Sequence, residues 1–239
     1  KSLEYLKLGF ANPYLDIDIK VQILLAYFTV NEYYEEQKED AAELARILVE
    51  THPDNPRAFS ILADIHYQNE EWAEAREALR KVVQLDPSNY IVWEQLLFTE
   101  SNLSDFEAML EESRQTIELF PQQPLPYLFA AVASYNFGDH EQMIRDLETG
   151  IQYVVRNDLL LAEFYNYLGD AYHQTGQDKK AFEAYDASLK IKPDNYINLA
   201  RKEDAYLLRV DHPKEGGNLS FFVFLNGWEP RLKCPVPEP

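Results

Sequence analysis

The sequence predicts an all-α solenoid of antiparallel helix pairs, and three observations carry that expectation. Four proline-containing turns recur along the chain: His52-Pro53-Asp54-Asn55, Asp86-Pro87-Ser88-Asn89, Phe120-Pro121-Gln122-Gln123 and Lys192-Pro193-Asp194-Asn195. Their prolines stand 34, 34 and 72 residues apart, the last interval being two lengths of 34 plus four. Each interval reads as two amphipathic helices separated by a short polar turn. Aligned on the prolines, the intervals place large residues beneath large and small beneath small. A fixed period of this length marks an array in which each unit buries its apolar face against the next.

The ruler divides the chain into windows 22–55, 56–89, 90–123, 124–157 and 162–195, with Asn157 to Leu161 holding the four extra residues. Proline closes the second helix of each window because it lacks a donor and clashes with the preceding turn, and the following Asp, Asn or Ser is placed to cap the next helix. Position four of the windows is always large: Leu25, Phe59, Trp93, Tyr127 and Tyr165. Position eight reads Thr29, Ala63, Leu97, Ala131 and Gly169, and position twenty reads Ala41, Ala75, Met109, Met143 and Ala181. Small residues in these two columns let paired helices approach, while the large ones fill the gap to the neighbouring unit. Position fifteen carries Gly138 and Gly176, where a left-handed residue ends the first helix at low cost. Leu97 opposite Met109, and Val155 where proline is expected, predict looser pairs in the third and fourth windows.

Composition narrows the function. With 41 acidic and 22 basic residues the net charge is −19, which excludes the basic face that binding to nucleic acid requires and disfavours an anionic membrane surface. A hydrophobic fraction of 46%, with 16 Tyr, 13 Phe and 3 Trp, is ample for a core. The single Cys234 excludes an internal disulfide framework and a cysteine-based zinc site. No apolar run approaches the ~18 residues of a membrane helix. The sequence is silent on compartment, and the start at Lys1 reads as the loss of a leader or preceding domain.

On these columns the chain resembles the tetratricopeptide repeat (TPR) family. Tyr165, Leu168-Gly169, Tyr172, Ala181, Tyr185, Ser188 and Pro193 of the last window match the family pattern nearly throughout, and the second window is nearly as close. The resemblance implies a right-handed superhelix of five repeats over residues 22–195. It also implies a non-catalytic scaffold that binds a peptide or protein segment in a concave groove, with no cofactor. The competing reading is a structural module that self-associates through its tail or array end; a third is a regulatory domain of a larger protein.

The ends depart from the ruler. Residues 1–21 form a partial repeat or flanking helix, and 196–210 form a helix that caps the open end of the stack. The tail 211–239 holds 5 of the 13 prolines and has a net charge of −1; Phe221 to Leu225 followed by Asn226-Gly227 gives a β-hairpin signal. Folding back onto the stack, pairing with another molecule and being foreign to the fold all remain open for this tail.

In the TPR family, positions two, five, nine and twelve tend to face the groove. Carried onto this chain they are Ile23, Ala26, Val30 and Tyr33; Arg57, Ser60, Asp64 and Tyr67; Ile91, Glu94, Phe98 and Ser101; Leu125, Leu128, Val132 and Tyr135; and Glu163, Asn166, Asp170 and His173. The candidate binding residues among them are Tyr33, Arg57, Asp64, Tyr67, Glu94, Phe98, Leu128, Tyr135, Asn166 and Asp170. Tyr33, Tyr67 and Tyr135 share position twelve; they serve either as a ladder for an extended peptide or as covers for neighbouring helix ends. Gln68, Asn102, Asn136 and Gln174 at position thirteen read as helix-end caps. The carboxylate clamp of chaperone-binding TPR domains is absent, since the implied groove offers Arg57 and Asn166 but no lysine. The acidic last repeat favours a partner bearing Lys or Arg.

No enzyme is apparent. None of the histidine pairs has the spacing of a helical zinc site, and the glycines form no phosphate loop. Asp139-His140-Glu141 reads as a solvated turn, and Glu35-Glu36, Glu70-Glu71 and Glu111-Glu112 as solvated faces. The groove assignment yields a first expectation: replacing both Tyr67 and Tyr135 with Ala weakens partner capture in a crosslinking pull-down and leaves the thermal melt cooperative. Global unfolding of that double variant would place both rings in the core.

Overall fold

In the computed structural model, residues 2–29, 34–194 and 201–202 are described, and among them the chain is helical throughout, without strands. A first helix α1 (Ser2–Phe10) precedes five antiparallel pairs: α2 (Ile17–Thr29) with α3 (Tyr34–Thr51), α4 (Pro56–Gln68) with α5 (Trp72–Leu85), α6 (Tyr90–Leu103) with α7 (Phe106–Leu119), α8 (Pro124–Asn136) with α9 (His140–Gly150), and α10 (Asp158–Gln174) with α11 (Asp178–Ile191). Each second helix packs on the first helix of the next pair, so the apolar faces form a continuous all-α solenoid. The hairpin expected in 211–239 and most of the capping helix 196–210 lie outside the described residues.

The helix starts follow the capping chemistry. Asn55 and Asn89 accept from the backbone N–H of Arg57 and Ile91, and Pro56 takes the first helical position, where a missing donor costs nothing. Asp105, Asp139 and Asn157 cap α7, α9 and α10. The four-residue insertion extends the front of α10, which begins behind the Asn157 cap. Gln123, in the third proline turn, makes no side-chain cap.

In the second to fifth windows position fifteen adopts a left-handed backbone whatever residue stands there. Gly138 and Gly176 have φ of 73° and 72°, while Glu70 and Ser104, with φ of 59° and 55°, make the same turn with side chains. The small columns are buried as expected: Ala63, Ala75, Ala131 and Ala181 are at most 1% exposed. Where Leu97 and Met109 replace small residues, α6 and α7 approach less closely than α4 and α5; α8 and α9 remain close.

The large residues of position four also bind backbone. Trp93 donates from Nε1 to the Pro87 carbonyl and Tyr127 donates from its hydroxyl to the Pro121 carbonyl, each at 3.0 Å and six residues back. At the N-terminal end, Lys20 is fully buried; its Nζ donates to the Asn12 carbonyl at 2.7 Å and lies 2.8 Å from Nε2 of His52. Burial lowers the pKa of both groups, and this contact ties the α1–α2 loop to the end of α3.

Two glycines separate backbone freedom from packing. A Cβ at Gly169 would lie 2.3 Å from the ring of Tyr185, which is 2% exposed, whereas a Cβ at Gly138 would meet nothing within 4 Å. Gly169→Ala is expected to cost about 1–3 kcal/mol through overpacking. Gly138→Ala is expected to cost about 1–2 kcal/mol through its left-handed φ alone. Urea unfolding distinguishes them, because Gly169→Ala/Tyr185→Phe does not restore the lost space whereas Gly169→Ala/Tyr185→Leu does.

Candidate functional site

The first helices of successive pairs are neighbours: α2 lies on α4, α6 on α8, and α8 on α10. Their adjoining faces hold the residues selected from the sequence. Tyr33 and Val30 lie outside the described residues. The remaining candidates fall into three groups.

Between the second and third pairs, Asp64 accepts from Nε2 of Gln95 at 3.2 Å, and Glu94 is hydrogen-bonded to Tyr90. Burial pushes the Asp64 carboxyl up to about 6, with the Gln95 bond opposing it. Burial likewise raises the pKa of Glu94, and burial together with the Glu94 charge raises that of Tyr67. Among the described residues no cation contributes to the shift at either acid, and two partly buried carboxylates rest on neutral donors beside the Tyr67 ring.

Between the third and fourth pairs the same positions are aromatic. Phe98 meets Phe129 edge to face, with ring centroids 4.9 Å apart. Phe98 and Leu128 are only 5% and 4% exposed, so the residues read as groove lining are largely spent on joining neighbouring repeats.

In the last pair the acids have partners within the chain. Asp170 accepts from the Tyr185 hydroxyl at 2.8 Å and lies 3.2 Å from Nη1 of Arg201; Glu163 lies 3.3 Å from Nζ of Lys192. Burial raises the pKa of Asp170, and the charge of Arg201 counters it. Asn166 is buried and donates to Glu163 at 3.1 Å. Sequence reasoning missed Arg201. It follows Asp170 by 31 residues, the spacing that joins Asp64 to Gln95 and Phe98 to Phe129.

Position twelve forms a corner of each repeat. Tyr67 packs edge to face on Trp72 at 5.0 Å and Tyr135 tilts onto His140 at 5.4 Å, each against a residue that begins the second helix. His173 reaches Asp178 in the same way, at 3.3 Å. Both tyrosines keep partly exposed surfaces while covering helix ends. At position thirteen, Asn102 and Asn136 donate to the carbonyls of Phe98 and Val132, as helix-end caps do, while Gln68 and Gln174 are exposed. Arg57 is paired with Asp18, and Asp139 is the cap of α9.

One sequence reading is corrected. Glu112 does not lie on a solvated face: it is 8% exposed and accepts from Nε of Arg80 at 2.7 Å. The partner that draws it inward stands 32 residues earlier. Arg114 and Asp146, also 32 apart, repeat this pairing at the next junction with two bonds of 2.6 Å. Among the described residues, no helix is long and apolar enough to cross a membrane.

Tetratricopeptide repeat profiles match residues 31–90 and residues 162–195. The fold is similar to MamA 41-end from Desulfovibrio magneticus RS-1, at 12% identity over 75% of this chain and 96% of that one, with a TM-score of 0.61. It is also similar to YrrB, described as a TPR protein with an unusual peptide-binding site, at 17% identity over 70% and 84% of the two chains, TM-score 0.60. A third similar structure is TTC0263, a thermophilic TPR protein of Thermus thermophilus, at 17% identity over 78% and 98%, TM-score 0.51. No curated protein sequence matches the chain.

The raised Asp64 carboxyl makes stability depend on pH. A carboxyl whose folded pKa exceeds its unfolded value of ~3.9 stabilises fully below that value, and the stabilisation is lost as pH rises through about 6. Between pH 4 and 7 the urea midpoint of the wild type is expected to fall relative to that of Asp64→Asn. Parallel midpoints over that range would show that Asp64 titrates as an ordinary surface carboxyl.

Proposed function

We propose, from the premise that the chain is a tetratricopeptide repeat protein, that it works as a non-catalytic protein–protein interaction scaffold. Its partner is an extended segment carrying Lys or Arg, laid along the face of the first helices. The observation that carries this reading is the pair Asp64 and Glu94. Both carboxylates are drawn from water at one junction, and among the described residues neutral donors alone hold them. A basic side chain there would supply the charge that burial leaves uncompensated.

The geometry supports a division of roles along the face. Tyr67, beside the two acids and packed on Trp72, offers a fixed ring edge against which the aliphatic stem of a lysine or arginine can lie. Beyond it, Phe98 and Leu128 are buried in the joint, and the partly exposed Tyr135 offers the apolar surface for a neighbouring residue of the same segment. The last pair contributes less attraction than its sequence promised, because Asp170 and Glu163 already hold Arg201 and Lys192. The basic side chain therefore belongs at the second junction. Stacked helices hold these groups in place before the partner arrives, which keeps the ordering cost on the receptor low.

The test uses an array of extended peptides that differ only in the number and place of Lys and Arg, read by fluorescence anisotropy. Affinity is expected to rise between pH 5 and 7.5 as Asp64 loses its proton, and Asp64→Asn/Glu94→Gln is expected to lose most of the preference for basic peptides, about tenfold or more. Equal binding of basic and neutral peptides by the wild type would defeat the proposal.

A further inference from the structure

We infer that Glu100 and Glu112 share one proton at neutral pH, in a carboxyl–carboxylate hydrogen bond that fastens the junction between the second and third helix pairs and makes it pH-sensitive. This inference rests on the packing of α5, α6 and α7 and is independent of the groove.

Charged groups reach the pair from α5, α6 and α7, and Glu111 and Glu118 of α7 line the same cleft as Arg80 and Glu112. Helix α5 brings Arg76, Glu77 and Arg80; α6 brings Glu100; α7 brings Glu112 and its cap Asp105; and α8, also packed on α7, has no charged residue. Arg80 spans the two acids, with Nη2 at 3.0 Å from Oε1 of Glu100 and Nε at 2.7 Å from Oε1 of Glu112. Arg76 lies 3.5 Å from Oε2 of Glu100 and 3.1 Å from Asp105. Glu77 sits on the exposed side, 70% accessible.

Two observations call for a proton. Glu100 is fully buried and Glu112 is 8% exposed, yet the Oε2 atom of each is buried and accepts no hydrogen bond from a fixed donor. One proton between the two carboxyls turns one of these oxygens into a donor to the other and satisfies both at once. Charge balance agrees. The buried Glu100 and Glu112, with the half-exposed Asp105, face two arginines, and a single shared proton leaves these five groups neutral. Burial pushes the pKa of both carboxyls up; Arg80 opposes this at each, and the Glu100 charge adds to the rise at Glu112. The two carboxyls lie within hydrogen-bonding reach of each other.

The sign follows. A carboxyl held more tightly protonated in the folded chain stabilises it fully below the ordinary carboxylate range, and that stabilisation is lost as pH climbs through the raised folded value. Glu112 and Arg80 line the cleft between α5, α6 and α7, which gives the proton a route to solvent. When it leaves, two buried carboxylates repel each other and the second and third pairs loosen.

The experiment uses the full chain and Glu112→Gln, whose amide can donate to Glu100 and whose carbonyl can accept from Arg80 without titrating. Two readouts are taken: infrared spectra in the carboxyl region and melting temperature from pH 5 to 9. A protonated-carboxyl stretch at pH 7.5 that disappears in Glu112→Gln and in alkali is expected, together with a wild-type melting temperature that falls relative to the variant as pH rises. Should the variant fail to fold, the wild-type spectrum and Glu100→Gln decide. Absence of the band at pH 7.5, or parallel melting temperatures across the range, would overturn the inference.

Discussion

The structure depends on one constraint: a helix pair has an apolar face that it cannot bury by itself. Each second helix must pack on the first helix of the next pair, and the 34-residue spacing of the proline turns keeps those faces in phase. The same spacing fixes which residues meet across a junction. Residues 31 apart join on the first-helix side, as Asp64 and Gln95 or Phe98 and Phe129 do, and residues 32 apart join beyond them, as Arg80 and Glu112 or Arg114 and Asp146 do. A repeat of fixed length thus turns residue choice at a few positions into control over each joint.

The joints differ because those positions differ. The third and fourth pairs meet through phenylalanines and a bidentate arginine–aspartate bond, a contact with its charges matched. The second and third pairs meet through acids on both sides. On one side, Asp64 and Glu94 have only neutral donors; on the other, Glu100 and Glu112 have two arginines between them and Asp105. Buried and partly buried carboxylates that outnumber their cationic partners therefore gather at this joint. Both the proposed partner chemistry and the proposed proton originate there.

Much of the fold was legible because it is written in local rules. Proline stops, asparagine caps and small residues in matching columns act over a few residues, and Pro87, Asn89 and Ala75 behave as their types require. The left-handed turns at Glu70 and Ser104 were not legible, since neither residue favours that conformation and the packing of the paired helices imposes it. Sites were harder for the same reason. Glu112 looks like half of a surface pair until Arg80, a full repeat away, is seen beside it. Asp170 looks like an open acid until Arg201 is placed, and Tyr67 looks like a freestanding ring until Trp72 is found packed against it. Position within the repeat was readable; what that position had already been committed to was not.

The central claim is that partner binding belongs to the face of the first helices at the second junction. Its most direct test is a photo-crosslinking residue placed at Tyr67, and separately at Gln115 on the second helix of the third repeat, each challenged with a Lys- and Arg-bearing extended peptide. The account predicts efficient crosslinking from position 67, competed by unlabelled basic peptide, and little from position 115. Equal crosslinking at both positions, or crosslinking from 115 alone, would contradict it.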